Sequence, residues 1–186
     1  GMRRLLDPTR ELREAQDVLE VAATPDNQLR LASALLDAGR ASEAVVQYQA
    51  IMKGIYATDA HVRVRLAHAL LEAGKPADAR AELEALIRDA PTFKSPEGHL
   101  TYARALDALD ERAKAREEYE VLVGYFAGLE ARAYYAASLA RWNDRQRAGD
   151  LISESLSIAR RMPKHSRSIN AVWLAQLKRL DSQLAK

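Results

Sequence analysis

The chain has 186 residues, 28 basic and 26 acidic side chains, a net charge of +2 and no cysteine. That length fits one domain, and 48% hydrophobic with 29% charged residues is an ordinary soluble balance. Disulfides, cysteine nucleophiles and thiolate metal sites are excluded, and the near-neutral balance argues against a nucleic-acid module, which carries a strong basic stripe.

Ten helices are predicted in chain order: 8–23, 25–38, 42–54, 59–73, 76–89, 96–109, 112–126, 129–142, 144–161 and 165–184. Asp7-Pro8, Thr24-Pro25 and Ser95-Pro96 each read as an N-cap followed by proline at the first helical position, and Lys75-Pro76 also starts a helix. Gly39 and Gly74 follow apolar-periodic segments, where a left-handed residue ends a helix. Asp110 and Asn143 take that place later in the chain. No segment sustains strand alternation. No apolar run approaches the roughly 18–20 residues of a membrane span, and there is no signal-peptide pattern, so the expected location is cytoplasmic. Gly1 ahead of Met2 reads as a tag remnant.

A pattern returns about every 35 residues. It runs Leu31-Ala32-x2-Leu35, Gly39, Ala44-x3-Tyr48; then Leu66-Ala67-x2-Leu70, Gly74, Ala79-x3-Leu83. It continues as Tyr102-Ala103-x2-Leu106, Asp110, Ala115-x3-Tyr119, and as Tyr135-Ala136-x2-Leu139, Asn143, Ala148-x3-Ile152. The turn residues fall 35, 36 and 33 residues apart. Such a period means stacked helical hairpins with a continuous seam as core. The alanines mark where two helices approach most closely; a larger side chain there costs about 1–3 kcal/mol by overpacking. Tyr48, Leu83, Tyr119 and Ile152 are expected to pack onto the next hairpin.

This constellation resembles the tetratricopeptide repeat, whose motif is Trp-x2-Leu-Gly-x2-Tyr, then Ala-x3-Phe, then Pro. The resemblance covers roughly residues 25–160. The best copy is Leu66-Ala67-x2-Leu70, Gly74, Ala79-x3-Leu83, Pro91. Gln28, Arg63, His99 and Arg132 replace the motif's tryptophan, and only Pro91 fills the final proline position. Leu5-Leu6-Asp7-Pro8-Thr9-Arg10-Glu11-Leu12 and Phe93-Lys94-Ser95-Pro96-Glu97-Gly98-His99-Leu100 resemble small bacterial tetratricopeptide proteins of undefined function, some with a membrane-anchoring region ahead of the repeats. On that resemblance Arg3-Arg4 would approach a membrane surface in a longer form; the plainer reading is a frayed basic terminus.

The resemblance implies an all-α, right-handed superhelix, one domain over 1–186. Residues 1–24 form an N-terminal capping helix and 163–186 a C-terminal one. Hairpins occupy 25–58, 59–94, 95–128 and 129–162. The concave face, lined by the first helix of each hairpin, holds a peptide or partner helix in this family. By this register the groove-facing candidates are Arg30, Ser33, Asp37, Arg65, His68, Glu72, Thr101, Arg104, Tyr134 and Arg141. Arg30, Arg65 and Arg104 would favour an acidic segment or a terminal carboxylate; alternatively Asp37 and Glu72 neutralise them internally. The Lys and Asn clamp of chaperone-tail binders is absent, because Leu29, Ser33, Val64, His68 and Arg104 stand at the comparable places.

Nothing points to catalysis, a metal or a cofactor. His61 and His68 lie two helical turns apart, roughly 10 Å along the axis. His68 and Glu72 alone do not make a zinc site. Ser95 and His99 lack a third group to orient the histidine, and Gly98 stands outside any phosphate loop. The expected function is therefore a non-catalytic protein-interaction scaffold with a protein or peptide partner. One alternative is an RNA-binding helical repeat, with Arg160, Arg161, Lys164, His165 and Arg167 as its basic cluster. Another is self-association through the aromatic stretch Tyr125, Phe126, Tyr134, Tyr135 and Trp142, or a soluble part of a membrane-anchored assembly.

Overall fold

The computed structural model describes residues 7–186; Arg3, Arg4, Leu5 and Leu6 lie outside that range. Eleven helices and no strands occur among the described residues. They are α1 (Pro8–Val21), α2 (Pro25–Asp37), α3 (Ala41–Ile51), α4 (Ala60–Glu72), α5 (Pro76–Asp89), α6 (Pro96–Ala108), α7 (Arg112–Tyr125), α8 (Glu130–Arg141), α9 (Arg145–Arg160), α10 (Lys164–Ile169) and α11 (Ala171–Leu184). Two compact units divide them: one runs up to Glu111, the other spans Arg112–Lys186.

The starts of the helices follow from their caps. The Asp7 carboxylate accepts from Thr9 N, the Thr24 hydroxyl from Asn27 N, and the Ser95 hydroxyl from Gly98 N, at 3.0, 3.1 and 2.9 Å. Each pairs an orphan donor of the first turn, with proline next in the chain. Asp59 and Asp144 cap α4 and α9 in the same way.

The turns that end α2, α4, α6 and α8 share one wiring. Gly39, Gly74, Asp110 and Asn143 have φ of 79°, 80°, 61° and 62°. In each, the following amide reaches back to the leucine three residues after the repeat's first alanine: Arg40 N to Leu35 O, Lys75 N to Leu70 O, Glu111 N to Leu106 O and Asp144 N to Leu139 O, all at 2.8–2.9 Å. This is the Schellman closure, which satisfies the carbonyls a helix end leaves bare.

In the unit up to Glu111, α2 pairs with α3 and α4 with α5, while α1 packs on α2, α3 on α4, and α6 on both α4 and α5. Ala32, Ala44, Ala67, Ala79 and Ala103 have no exposed surface at all, so the repeat's alanines stand where backbones meet. Leucines and valines fill the seam around them, and Tyr48 of α3 is completely buried.

In the Arg112–Lys186 unit the seam is aromatic. Tyr119 and Tyr135 stack 4.8 Å apart with planes 7° from parallel, and Trp142 meets Tyr135 edge-on at 6.5 Å. Ala115, Ala136 and Ala148 again have no exposed surface. α8 pairs with α9 and also touches α7, and α11 packs across α8 and α9 with Leu177 fully buried.

The single last helix expected over 165–184 is instead two, α10 and α11, broken at Asn170. The break has a cause. The Asn170 side chain accepts from Leu129 N at 2.9 Å and donates to Ser166 O at 2.8 Å, so its amide serves the link ahead of α8 and the last turn of α10 together. Gly128 (φ +84°) comes so near that a Cβ there would lie 2.6 Å from Asn170 Oδ1; only glycine fits. The helix expected over 42–54 ends at Ile51, after which turns lead to Asp59.

Candidate functional site

Three repeat positions generate the groove candidates. Counting back from each turn residue, one position holds Arg30, Arg65, Thr101 and Tyr134. A second holds Ser33, His68 and Arg104, and a third Asp37, Glu72 and Arg141. These positions lie on the first helix of each hairpin, one turn apart, so they share a helix face.

Six of these residues meet in one network on α2, α4 and α6, joined by Glu97. Arg65 donates to Glu97 at 2.7 Å, lies 3.6 Å from Asp37 and reaches the Ser33 hydroxyl at 3.3 Å. His68 Nδ1 lies 2.9 Å from Glu97, and its Nε2 3.5 Å from Glu72. Arg104 closes the line, 2.9 Å from Glu72. The rule beneath it is simple: a cation of one hairpin takes the acid that ends the first helix of the preceding hairpin. Asp37 thus meets Arg65, and Glu72 meets Arg104.

The remaining candidates lie elsewhere. Arg30 faces Glu14 of α1 at 3.7 Å. Thr101, expected on the groove surface, is 2% exposed; its short side chain does not clear the packed helices. In the other unit, Tyr134 lies against Trp173 with ring centroids 5.3 Å apart, and Arg141 donates to Ser138 at 3.0 Å.

Electrostatics follow from these contacts. Burial opposes the charge of His68, but Glu72 and Glu97 outweigh it and raise its pKa. With a carboxylate beside each ring nitrogen, the imidazolium is the form that satisfies both. The His68 contact, with Arg104 behind it, holds Glu72 at about 2. Glu97 would rise through burial, yet His68 and Arg65 hold it also at about 2. Burial works against the Arg65 charge too, and Tyr48 and Glu97 more than restore it. The Tyr48 hydroxyl, 3.4 Å from Arg65 Nε, carries the buried tyrosine of α3 through to this face.

Sequence reasoning missed Glu97 and Tyr48 as members. The signal for Glu97 was present: it stands one helical turn before Thr101, which occupies the Arg65 repeat position in the next hairpin. Its reach back to α4 comes from packing, which no spacing states. The arginines at the motif's tryptophan position have a structural use. Arg63 pairs with Glu82 at 2.8 Å and Asp89 at 2.9 Å. Arg132, 8% exposed, donates to Glu154 and to Val123 O, both at 3.0 Å. In both hairpins the arginine ties the first helix to acids of the second. Ser95 serves α6 as its cap. Among the described residues no cluster of three or more His, Cys, Asp or Glu is placed to hold a metal ion, and no described helix is long and apolar enough to cross a membrane.

The hairpins, the four matching turns and the alanine seam define a helical-repeat fold. Residues 35–94 match the tetratricopeptide repeat family model. Solved structures are similar over most of the chain. A thermophilic tetratricopeptide protein of Thermus thermophilus is 17% identical, covering 94% of this chain and 89% of that one with a TM-score of 0.72. MamA from Desulfovibrio magneticus RS-1 is 18% identical, covering 84% and 88%, at 0.64. Nearly identical TPR-like repeats from Podospora anserina, described as of a putative kinesin light chain, are 21% identical, covering 86% and 89%, at 0.61. At these identities the likeness is one of fold. No curated relative is similar enough in sequence to match. Tetratricopeptide repeat proteins are in general non-catalytic scaffolds for other proteins.

Proposed function

We propose that the chain is a non-catalytic scaffold that holds a protein segment against the first-helix face of α2, α4 and α6. The observation that supports this is the polar line Asp37–Arg65–Glu97–His68–Glu72–Arg104, laid across three successive first helices and partly open to solvent. Its carboxylates are the more exposed members: Asp37, Glu72 and Glu97 at 47, 37 and 40%, against 25% for Arg65 and 18% for Arg104. An acidic segment therefore competes with carboxylates already seated on the arginines, rather than meeting unopposed cations. The segment that fits best brings donors to the outward oxygens of Asp37, Glu72 and Glu97, through its own backbone amides or a basic side chain.

Photo-crosslinking tests the reading. A photoreactive residue at Ser33 or Asp37 is expected to capture a partner in the native cell; one at Gln49 or Ala81, exposed on the second helices α3 and α5, is not. Capture from the second helices alone overturns the assignment.

A further inference from the structure

The charges are unevenly spread along the chain. Residues 155–180 contain six of the 28 lysines and arginines and none of the 26 acids. The helices of this stretch, the end of α9 with α10 and α11, therefore meet no carboxylate of their own segment. Where α10 and α11 meet lies an open groove of about 370 Å³, with Lys164, Arg167 and Lys178 around Ala171, Leu174 and Ala175. Arg167 is occupied, donating to the carbonyls of Arg160 and Met162 at 3.4 and 3.1 Å. Lys164 and Lys178 are exposed and form no ion pair among the described residues. The contrast with Arg65 and Arg104, each seated on its own acids, is complete.

We propose that this α10–α11 face docks an acidic amphipathic protein segment, apolar side chains on Ala171, Leu174 and Ala175 and carboxylates on Lys164 and Lys178. An apolar floor with a cationic rim is complementary to a helix carrying leucines on one stripe and glutamates beside it. Two other anionic surfaces fit less well. A membrane surface takes up several projecting large apolar and aromatic side chains, whereas on α11 Trp173 turns inward onto Tyr134, Leu177 is fully buried and of the large apolar residues Val172 alone is exposed. RNA recognition relies on aromatic platforms for unstacked bases, and no aromatic residue lines this groove. The inference stands apart from the α2–α4–α6 face and survives if that face binds nothing.

The test uses the full chain and a fluorescein-labelled helical peptide of about 18 residues, with leucines at helical spacing and glutamates between. A second peptide has lysine for every glutamate. Anisotropy is expected to show binding of the glutamate peptide alone, weakening between about 50 and about 200 mM salt. Lys164→Glu with Lys178→Glu is expected to weaken it about tenfold. Ala175→Leu, which fills the floor while keeping a good helix former, should weaken it at unchanged charge and unchanged circular dichroism. Arg104→Gln should leave it unaltered. Failure of the glutamate peptide to bind, equal binding of the lysine peptide, or indifference to the paired lysine reversals overturns the proposal. So does binding of phosphatidylserine vesicles or polyuridine in its place, or self-association that the same reversals abolish.

Discussion

The unit up to Glu111 and the Arg112–Lys186 unit use the same repeat to different ends. At the repeat position of Leu66, the second unit has Tyr135; where Leu83 stands, it has Ile152, and where Tyr48 stands, the chain later has Tyr119. The first unit fills its seam mainly with aliphatic side chains and alanine around the single fully buried ring of Tyr48, and sets its charges in a line across first helices. The second stacks Tyr119 on Tyr135, sets Trp142 against them, and places Arg147 and Arg116 over those rings at 6.0 and 5.4 Å. Glu120 pairs with Arg147 through both oxygens at 2.9 Å and accepts from the Tyr135 hydroxyl. Burial, with Glu120 beside it, pushes the Tyr135 phenol up to about 12. The repeat thus prescribes where bulk and smallness go, and leaves the chemistry of the bulk open.

Both tryptophans, Trp142 and Trp173, belong to the second unit, so tryptophan fluorescence reports that unit, while far-ultraviolet circular dichroism reports both. The largest expected effect is Tyr135→Ala, which removes a fully buried stacked ring and should cost about 3–5 kcal/mol. Urea unfolding followed by fluorescence checks it. A loss seen equally by both probes at every denaturant concentration would mean the units unfold as one and would blunt the comparison. Next is Asn170→Ala, which strips Leu129 N of its acceptor and should cost about 1–3 kcal/mol, again read by fluorescence. An unchanged midpoint would remove Asn170 as the cause of the α10–α11 break.

Gly74→Ala follows, at about 1–2 kcal/mol, because φ of 80° puts a Cβ in the left-handed region. It falls in the first unit, so circular dichroism should register it; a stabilised protein would contradict the turn geometry. The smallest effect is that of pH on the first unit. His68 has a raised pKa, so its contribution is complete below about 6.5 and fades as pH rises through the folded value. Glu72 and Glu97 are lowered, so theirs is complete above about 4.5 and fades as pH falls toward about 2. His68→Gln should flatten the alkaline limb in unfolding followed by circular dichroism, by less than about 1 kcal/mol for such half-exposed pairs. An alkaline limb that survives the substitution belongs to another group.

How far the sequence reached depends on the range of the physics. Caps and turns are local: Thr24, Ser95 and Asp7, the prolines after them, and the left-handed Gly39, Gly74, Asp110 and Asn143 could all be read from a few neighbouring residues. The alanine seam is periodic, and Ala32, Ala67, Ala103 and Ala136 declared themselves by recurring. The groove candidates were legible only as a set of positions. Which acid sits on which arginine is decided between hairpins, where Glu97 reaches Arg65 across 32 residues, and no spacing rule announces that choice. Thr101 shows the opposite failure, a position assigned by register whose short side chain is buried. Asn170 was invisible for the same reason as Glu97: its partner, Leu129, is 41 residues away.

The identical wiring of the turns gives the chain a splice point. Deleting residues 40–74 would join Gly39 directly to Lys75, whose amide already makes, to Leu70, the bond that Leu35 would then receive. The cut removes one period without leaving a helix end bare, and α2 would run into α5 through a turn of unchanged shape. The charged line loses Arg65, His68 and Glu72 in the same stroke. Length and surface charge are therefore separable quantities in this protein: the turns set how many hairpins can be strung together, and the charged side chains travel with whichever first helix is kept.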